Sequence, residues 1–181
     1  MTMPPPPDDR RPGQLEWYAI RIRSKFAQAI ASTLEGKGYE VFLPLYTSHK
    51  KWSDRIKVKV LPLFPGYLFC RFDAGSRLLP ILTTPGVIHI VSAGRQPCPV
   101  SEDEIHAVQR IIDSGLAALP WPYLKTGTTV RIDKGPLAGL RGLVRTVPKG
   151  FRLVVSVPLL QRSVAVELDR DWVVPVLDQI A

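Results

Sequence analysis

Residues 63–72 read Leu-Phe-Pro-Gly-Tyr-Leu-Phe-Cys-Arg-Phe, a Pro-Gly turn followed by alternating apolar side chains. Pro-Gly favours a turn, and an alternating run of this kind predicts a β-strand. Leu68 and Phe72 lie on one face of that strand, whereas Tyr67 and Phe69 lie on the other. Both faces of the predicted sheet therefore carry large apolar side chains, and each face needs a covering layer or a binding partner.

A second strand and a helix precede this stretch. Residues 17–23 alternate in the same way, with Tyr18 and Ile22 on one face. The next residues predict a helix, because Ser24 can cap its first turn and Gly36 can end it. The apolar side chains that recur at helical spacing are Phe26, Ile30 and Leu34. We expect this helix to cover the sheet face that carries Tyr18 and Ile22.

Two further features complete the first unit. Residues 49–59 predict a charged hairpin arm, because five Lys and Arg residues stand there against the single acid Asp54. Ser101 and Glu104 form a capping-box pattern ahead of an apolar stripe, which predicts a helix over residues 101–114. Strands and helices in this order favour an α+β unit over residues 15–114.

The rest of the chain divides into a tail, a linker and a second unit. The Pro-rich residues 1–14 lack an apolar period and predict a flexible tail. Glycine and prolines interrupt residues 115–122 and predict a linker. Residues 123–177 contain five short strand patterns, which favour a small β-barrel because closure removes exposed edges. The predicted strands are Thr128–Ile132, Gly142–Val147, Phe151–Val157, Ser163–Leu168 and Trp172–Val176.

Composition limits the class of protein. Of the 181 residues, 45% are hydrophobic and 22% are charged, a globular average that excludes a wholly disordered chain. The formal net charge of +8 favours polyanionic partners such as nucleic acid or an acidic protein surface. Because the sequence has neither a run of about 20 apolar residues nor a signal-peptide pattern, we expect no membrane span. A monomeric cytoplasmic protein is the expectation.

The sequence offers little for catalysis or metal binding. It lacks the Gly-x-Ser-x-Gly, phosphate-loop, Gly-x-Gly-x-x-Gly and His-Glu-x-x-His motifs. His49, His89 and His106 are scattered along the chain. Cys70 and Cys98 stand 28 residues apart without a histidine at ligand spacing. We therefore expect no enzymatic activity, no cofactor and no metal.

The second sheet face is a candidate protein interface. It combines Tyr67 and Phe69 with Arg21 and Arg23, and aromatic and arginine side chains are the residues enriched at interfaces. The alternative is that this face packs on the second domain or on the helix at residues 101–114. The alternation of side chains is compatible with both interpretations.

The basic arm is a candidate nucleic-acid contact. Lys50, Lys51, Arg55 and Lys57 could hold phosphates while Trp52 stacks on a base. Since a run of charges is usually a solvated face, a hairpin without any ligand is the alternative.

Two groups of motifs resemble the NusG family of transcription elongation factors. The N-terminal group is Trp17-Tyr-Ala-Ile, Gly38-Tyr-Glu-Val-Phe-Leu-Pro44, Leu63-Phe-Pro-Gly-Tyr-Leu-Phe69 and Thr84-Pro-Gly-Val87. Residues 130–144, Val-Arg-Ile-Asp-Lys-Gly-Pro-Leu-Ala-Gly-Leu-Arg-Gly-Leu-Val, are similar to the KOW motif of the family's C-terminal barrel. The resemblance covers about residues 16–177. It implies an α+β protein: a NusG-type N-terminal α/β sandwich followed by a small five-stranded SH3-like KOW barrel.

The resemblance also implies a function. In this family the N-terminal domain binds the clamp helices of RNA polymerase and reduces pausing or termination. The KOW domain recruits a second factor, such as Rho or a ribosomal protein. The residues implied to receive the clamp helices are Ala19, Phe64, Pro65, Tyr67 and Phe69. Arg21, Arg23 and the basic arm would face non-template DNA or nascent RNA, and the KOW partner would contact Leu159, Leu160 and Arg162.

Within the family, the chain is more similar to the specialised RfaH-like paralogues than to the housekeeping member. The similarity rests on residues 62–69 and on Gly86-Val-Ile-His-Ile-Val-Ser-Ala-Gly94. Arg77-Leu-Leu-Pro80 stands where RfaH has a motif for the polymerase gate loop, and Leu159-Leu-Gln-Arg162 stands where many relatives have a Gly-Arg turn. The many valines of residues 154–166 favour strands, so we expect a barrel rather than a helical hairpin in the resting state.

A function of a different class remains open. A ribosome-associated or general RNA-binding KOW protein would use the basic arm and the barrel. Such a protein binds RNA tightly and with a steep salt dependence in the absence of polymerase.

Overall fold

The structure is a computed structural model that describes residues 13–52, 55–123, 127–147 and 150–176. Most of the predicted tail lies outside the described residues. Two segments that differ in secondary structure follow each other along the chain. The elements of the first segment are β1 (Glu16–Ile22), a 3-10 turn (Ser24–Phe26), α1 (Ala27–Gly36), β2 (Glu40–Phe42), β3 (Leu45–Trp52), β4 (Arg55–Pro62), β5 (Tyr67–Phe72), α2 (Leu79–Leu82), β6 (Val87–Ile90), β7 (Ser92–Ala93), β8 (Gln96–Pro97), β9 (Pro99–Val100) and α3 (Glu102–Asp113).

The second segment is almost entirely strand. Its elements are β10 (Ala118–Pro122), β11 (Thr128–Ile132), β12 (Arg141–Val147), β13 (Gly150–Val157), a 3-10 turn (Pro158–Leu160), β14 (Arg162–Leu168), a second 3-10 turn (Arg170–Trp172) and β15 (Val173–Pro175). The chain is therefore an α+β protein, as the sequence predicts, and residues 154–166 are in strands and a 3-10 turn rather than in a helical hairpin.

The first sheet is antiparallel and has the strand order β2-β5-β1-β6, with β9 also pairing with β1. On one face Tyr18 lies opposite Cys70, and Ile20 lies opposite Leu68. These side chains form a buried cluster with Ile30 and with the rest of the α1 stripe. The predicted cover of this face by the helix is confirmed.

The beginning of α1 differs from the sequence-based expectation. Residues 24–26 form a 3-10 turn, and the α-helix begins only at Ala27. A 3-10 turn has three residues per turn instead of 3.6, so Phe26 does not line up with Ile30 and Leu34. Phe26 is 49% exposed, whereas the other two side chains are buried. Ser24 begins the 3-10 turn instead of capping the helix.

The third helix is where the sequence predicts it. Ser101 occupies the N-cap position of α3, although its side chain makes no capping hydrogen bond. Three acidic residues in the first turn favour the helix start through the helix dipole. Ile105, Val108 and Ile111 are fully buried, so α3 contributes a complete apolar stripe to the protein core.

The second sheet contains six strands in the order β10-β14-β13-β12-β11-β15, and we refer to it as the barrel. The sequence predicts five, because the prolines of residues 115–122 indicate a linker. Residues 118–122 instead pair with β14, from Ala118 opposite Val166 to Pro122 opposite Arg162. Proline cannot donate a ladder hydrogen bond and is tolerated at a sheet edge, and Pro120 and Pro122 occupy that edge. The prolines therefore make a real edge strand resemble a linker.

No helix in the described residues is long and apolar enough to span a bilayer.

Gly142 of β12 leaves no room for a side chain, because β13 lies close to it. A Cβ atom at this position would be 2.8 Å from Leu153 Cδ1 and 3.0 Å from the Val154 carbonyl oxygen. We expect Gly142→Ala to lower the free energy of unfolding by about 1–3 kcal/mol, because the strand must shift to make room. The measurement is urea unfolding followed by circular dichroism.

Gly36→Ala is the control for this substitution. A Cβ atom at Gly36 has no neighbour within 4 Å, and the backbone there is not left-handed. We expect a neutral or slightly stabilising effect. A destabilisation as large as that of Gly142→Ala would show that loss of glycine, rather than the close strand approach, is responsible.

Candidate functional site

Three phenylalanines form the centre of the second sheet face. Phe69 stacks on Phe42 with ring centroids 6.1 Å apart, and its ring meets that of Phe64 edge-on at 5.4 Å. Ala19 lies opposite Phe69 on the neighbouring strand β1. Ala19, Phe64 and Phe69 are fully buried, so three of the five residues that the resemblance assigns to the clamp-helix site are covered.

The cover comes from α3 and from the barrel. One continuous buried cluster contains Trp17 and Phe69 of the sheet, Val108 of α3, and Leu160 and Val155 of the barrel. Of the two interpretations left open by the sequence, the structure therefore supports packing of this face on the helix at residues 101–114 and on the second domain. The reason is that the apolar area of this face is too large to remain exposed to water.

Tyr67 marks the point where the two domains meet. Its half-buried ring has the Arg21 guanidinium carbon 4.7 Å from its centroid and the Arg162 guanidinium carbon 5.6 Å from it. Arg21 belongs to β1, whereas Arg162 begins β14 of the barrel. Cation–π contacts of this kind contribute about 0.5–1 kcal/mol at exposed sites and more when they are desolvated.

The predicted partner loop of the barrel lies in the same contact region. Leu159 is half-buried against the shared apolar cluster, and Leu160 is buried within it. Gln161 has a left-handed backbone, with φ of 50°, and turns the chain so that Arg162 begins β14. The structure thus brings together two sets of residues that the sequence assigns to different interfaces.

Polar contacts connect α3 to the first sheet and to the barrel. Arg71 of the sheet pairs with Glu102 at 3.1 Å and with Glu40 at 3.6 Å. At the other end of the helix, Arg110 Nη2 donates a hydrogen bond of 2.6 Å to the carbonyl of Ala138 in the KOW turn. The helix therefore holds the sheet and the barrel at once.

The turn before Tyr67 positions Arg21. Pro65 is exposed at its tip, and Gly66 has φ of +83°. A side chain at Gly66 would collide with the guanidinium of Arg21 and approach the Ser24 hydroxyl. Glycine is required there because it alone permits both the left-handed backbone and the close approach. Arg23, which directly follows the last residue of β1, is exposed.

The basic arm is a separate two-stranded hairpin of β3 and β4. Its register places Lys50 opposite Lys57 and Lys51 opposite Ile56. Arg55 lies opposite Trp52. Side chains alternate along a strand, so Lys51 belongs to the opposite face from Lys50 and Lys57. The predicted hairpin is confirmed, but the side chains of residues 49–57 lie outside the described part.

The described residues provide little for other chemistry. They contain no group of three or more His, Cys, Asp or Glu side chains placed to hold a metal ion. Burial raises the pKa of the Cys70 thiol to about 12, which keeps it protonated and unreactive. Cys98 is half-exposed and carries a free thiol.

The comparison with protein families identifies the domain that carries the aromatic face. Residues 15–109 match the family model described as NusG, transcription termination factor nusG. The chain belongs to the NusG family. The protein named transcription termination/antitermination protein NusG from Thermus thermophilus is 31% identical, with 88% of this chain and 98% of that protein covered. Its Escherichia coli K12 counterpart is 27% identical over 84% of this chain and 92% of its own length.

A solved structure described as "Domain interaction in Thermotoga maritima NusG" is similar in fold. The TM-score is 0.57 at 20% sequence identity, and the match covers 88% of this chain and 96% of that one. The N-terminal and C-terminal parts of the resemblance are thus matched within a single NusG chain.

Two features of the site are missed by sequence reasoning. Phe42 completes the phenylalanine cluster, and its position at the end of the Tyr-Glu-Val-Phe motif was an available signal. The contact of Arg162 with Tyr67 joins residues 95 positions apart, and no local pattern indicates such a contact. The position of Phe42 follows from the pairing of β2 with β5, whereas the contact of Arg162 with Tyr67 exists only where the sheet meets the barrel.

The contact between Tyr67 and Arg162 can be tested through the position of the domains. Dyes attached to Cys98 and to an introduced Val174→Cys would report domain distance by energy transfer, because buried Cys70 does not react. We expect Arg162→Gln to raise the ratio of separated to docked domains about two- to fivefold through loss of the cation–π contact. In the Arg162→Gln variant, the additional substitution Tyr67→Leu should change this ratio little. That result would show that Tyr67 and Arg162 are coupled directly.

Arg152→Gln is the control, because the Arg152 guanidinium lies over Trp121 instead, at 5.1 Å. It should leave the energy transfer unchanged. Strictly additive effects of the Tyr67 and Arg162 substitutions would contradict a direct contact.

Proposed function

We propose that this chain is a non-enzymatic transcription elongation and antitermination factor. Its N-terminal domain binds the clamp helices of RNA polymerase and reduces pausing or termination, and its barrel recruits a second factor. The observation that carries the proposal is the phenylalanine cluster bordered by Tyr67 and Arg21 in the part of the chain that matches the NusG family. A fully apolar centre with an aromatic and cationic rim is the composition of a protein-binding hot spot.

Polymerase binding at this face requires the barrel to move away. Arg162 lies over Tyr67, and Leu160 shares the apolar cluster with Phe69. Clamp helices and barrel therefore compete for one surface. The apparent affinity for polymerase is reduced by the fraction of molecules whose surface is free.

When the barrel moves away from the N-terminal domain, the barrel surface that binds the second partner is also exposed. Leu159, Leu160 and Arg162 are the residues we propose for contact with Rho or a ribosomal protein. They are engaged with the N-terminal domain in the docked arrangement. Binding of polymerase would thus make the barrel available, which couples the two partners in the order polymerase first. We propose a specialised, RfaH-like role on this basis and on the sequence similarity of residues 62–69 and 86–94.

Nucleic acid is the proposed neighbour of the polymerase-binding face. Arg21 of β1 lies opposite Tyr67 of β5, and Arg23, just after the end of β1, is exposed. In the arm, Lys50, Arg55 and Lys57 share a face by register, and Lys51 belongs to the other face. An anionic ligand would offset the positive charge that the Lys and Arg residues of this hairpin bring together in the sequence. Non-template DNA or nascent RNA is such a ligand.

The second candidate function rests on the basic arm and the barrel. A ribosome-associated or general RNA-binding KOW protein would use these two parts but not the phenylalanine cluster. It predicts tight RNA binding with a steep salt dependence and no affinity for polymerase.

Tyr67→Asp is the sharpest test of the polymerase interface. Burying a new carboxylate against an apolar helix tip should weaken binding by several kcal/mol, because the charge loses its hydration. Phe69 is a poor target, because it is fully buried and its replacement by Asp would damage the fold. The measurement is binding of the purified variant to core RNA polymerase, with pause lifetimes recorded in single-round transcription.

Val174→Asp introduces the same charge at an exposed apolar position of β15 and should leave binding unchanged. Tyr67→Asp should be made in the Arg162→Ala background as well, so that any new pairing with Arg162 does not contribute. Unaltered polymerase affinity of a folded Tyr67→Asp variant in both backgrounds would overturn the proposed interface.

Arg162→Ala should have the opposite effect on polymerase binding. Removing the contact over Tyr67 raises the fraction of free surface, so we expect about two- to fivefold tighter apparent binding. Arg95→Ala removes an exposed arginine from the turn between β7 and β8 and is the matched control. Weaker polymerase binding by Arg162→Ala would mean that this side chain contacts polymerase rather than masking its site.

A further inference from the structure

The outer face of the barrel carries two cross-strand pairs of arginines. Arg131 of β11 lies opposite Arg141 of β12, and Arg145 of β12 lies opposite Arg152 of β13. Side chains directly opposite each other share a face of the sheet. Arg141 and Arg145 on this face are exposed, so the face is turned outward there. Val154, which lies opposite Leu143 on the same face, is buried. Four arginines are thus gathered on one surface of three strands, which we name the arginine face.

Acidic side chains neutralise only part of the arginine face. Arg131 pairs with Asp133 at 2.8 Å, and Arg152 pairs with Glu167 at 2.7 Å. Within the described part of the chain, neither Arg141 nor Arg145 has an ion-pair partner, and both are exposed. The middle strand therefore presents two unneutralised guanidinium groups.

Like charges in register are unfavourable for the sheet itself. Opposed residues of the same sign destabilise an antiparallel pair, by up to about 1 kcal/mol relative to a neutral pair. The arginine face contains two such pairs on adjacent ladders. Asp133 and Glu167 offset one arginine of each pair, and an anion bound at Arg141 and Arg145 would reduce the repulsion that remains.

Apolar surface lies between the two arginine pairs. Leu143 stands midway between Arg141 and Arg145, and it is half-exposed. Each arginine is two residues from it, so the two pairs are about 14 Å apart along the strand. At one end, Arg152 lies over the half-buried indole of Trp121. A surface with arginine pairs at its two ends and apolar and aromatic side chains between them suits a single-stranded nucleic acid. Such a ligand presents alternating phosphates and unstacked bases.

We infer that the arginine face is a binding site for single-stranded RNA. Arg141 and Arg145 contact phosphates, and a base lies on Leu143 between them. Duplexes fit this face poorly, because reading a groove requires a helix or a projecting ribbon, whereas this surface is the side of a sheet. The choice of RNA over single-stranded DNA rests on the proposed role in transcription, which produces a free RNA strand. The site is separate from Leu159, Leu160 and Arg162.

The test measures binding of the full chain to a fluorescein-labelled ten-nucleotide uridine RNA by anisotropy over a series of salt concentrations. The variant is Arg141→Gln with Arg145→Gln. Loss of two phosphate contacts should lower the slope of log affinity against log salt by about 1.4. If wild type and variant bind equally at 1 M salt, this difference in slope makes the variant roughly 25-fold weaker than wild type at 0.1 M salt. Arg95→Gln, an exposed arginine on the other domain, should leave the slope unchanged.

Two further measurements locate the RNA and exclude misfolding. Uridine RNA carrying 4-thiouridine should cross-link to peptides from β11, β12 or β13. Arg141→Lys with Arg145→Lys retains the charge and should recover most of the affinity. Polymerase binding by the Gln double variant should equal that of wild type, so failure at the arginine face and failure of the polymerase interface are distinguishable.

An unchanged salt slope in the Gln double variant would overturn the inference, and so would cross-links found only outside the barrel. Tighter binding of a duplex, or of the DNA strand of matching sequence, would replace single-stranded RNA by that ligand. If Arg95→Gln lowered the salt slope as much, the effect would be due to net charge and not to the arginine face, and this too would overturn the inference.

Discussion

The two-sided apolar character of β5 is the constraint on which the rest of the structure depends. Leu68, Cys70 and Phe72 cannot remain in water on one side, and Phe69 cannot remain there on the other. Burial of a side chain such as Phe or Leu stabilises a fold by about 1.5–3 kcal/mol, so both faces demand cover. The first face obtains it from α1. The second obtains it from α3 together with the barrel, which extends a single apolar cluster across two domains.

Function and stability use the same surface in this arrangement. A face built to accept a protein helix is apolar, with arginine and tyrosine at its rim, and a second domain of the same chain satisfies those requirements equally well. Phe42, Phe64 and Phe69 therefore serve as a core while the barrel is docked. On the proposed function they become an interface when polymerase replaces it. The exchange is favourable only when the incoming partner offers at least as much apolar contact as the barrel does.

Charge is distributed differently from apolar surface. Basic residues are grouped in the hairpin of β3 and β4 and in the cross-strand pairs of the barrel. In the barrel, Arg131 lies opposite Arg141, and Arg145 lies opposite Arg152. Such pairs weaken the isolated sheet and are tolerated because water screens them. The apolar contact of the two domains and the cationic surfaces are thus separate features, and one can change without the other.

Local pattern determined most of the secondary structure. The alternation of β1 and β5, the stripe of α1 and the acidic start of α3 are properties of neighbouring residues, and the strands and helices lie where those patterns predict them. Two local errors have physical causes. Phe26 is exposed because a 3-10 turn shifts its phase, and residues 118–122 form an edge strand that tolerates proline. Alternation also placed Tyr67 and Phe69 of β5 on the second face, but it did not identify Phe42 as a member of that face.

Only the tertiary structure decided what that face contacts. Alternation specifies that Tyr67 and Phe69 point away from α1, but two surfaces of equal chemistry, an external helix and the barrel, fit the same description. The choice depends on contacts between residues far apart in the chain, such as Tyr67 with Arg162 and Arg110 with Ala138. The arginine face likewise exists only through the register of three strands. Local sequence sets which side of an element is apolar or charged, whereas the partner of that side is set by packing over long separations, which no nearby residue encodes.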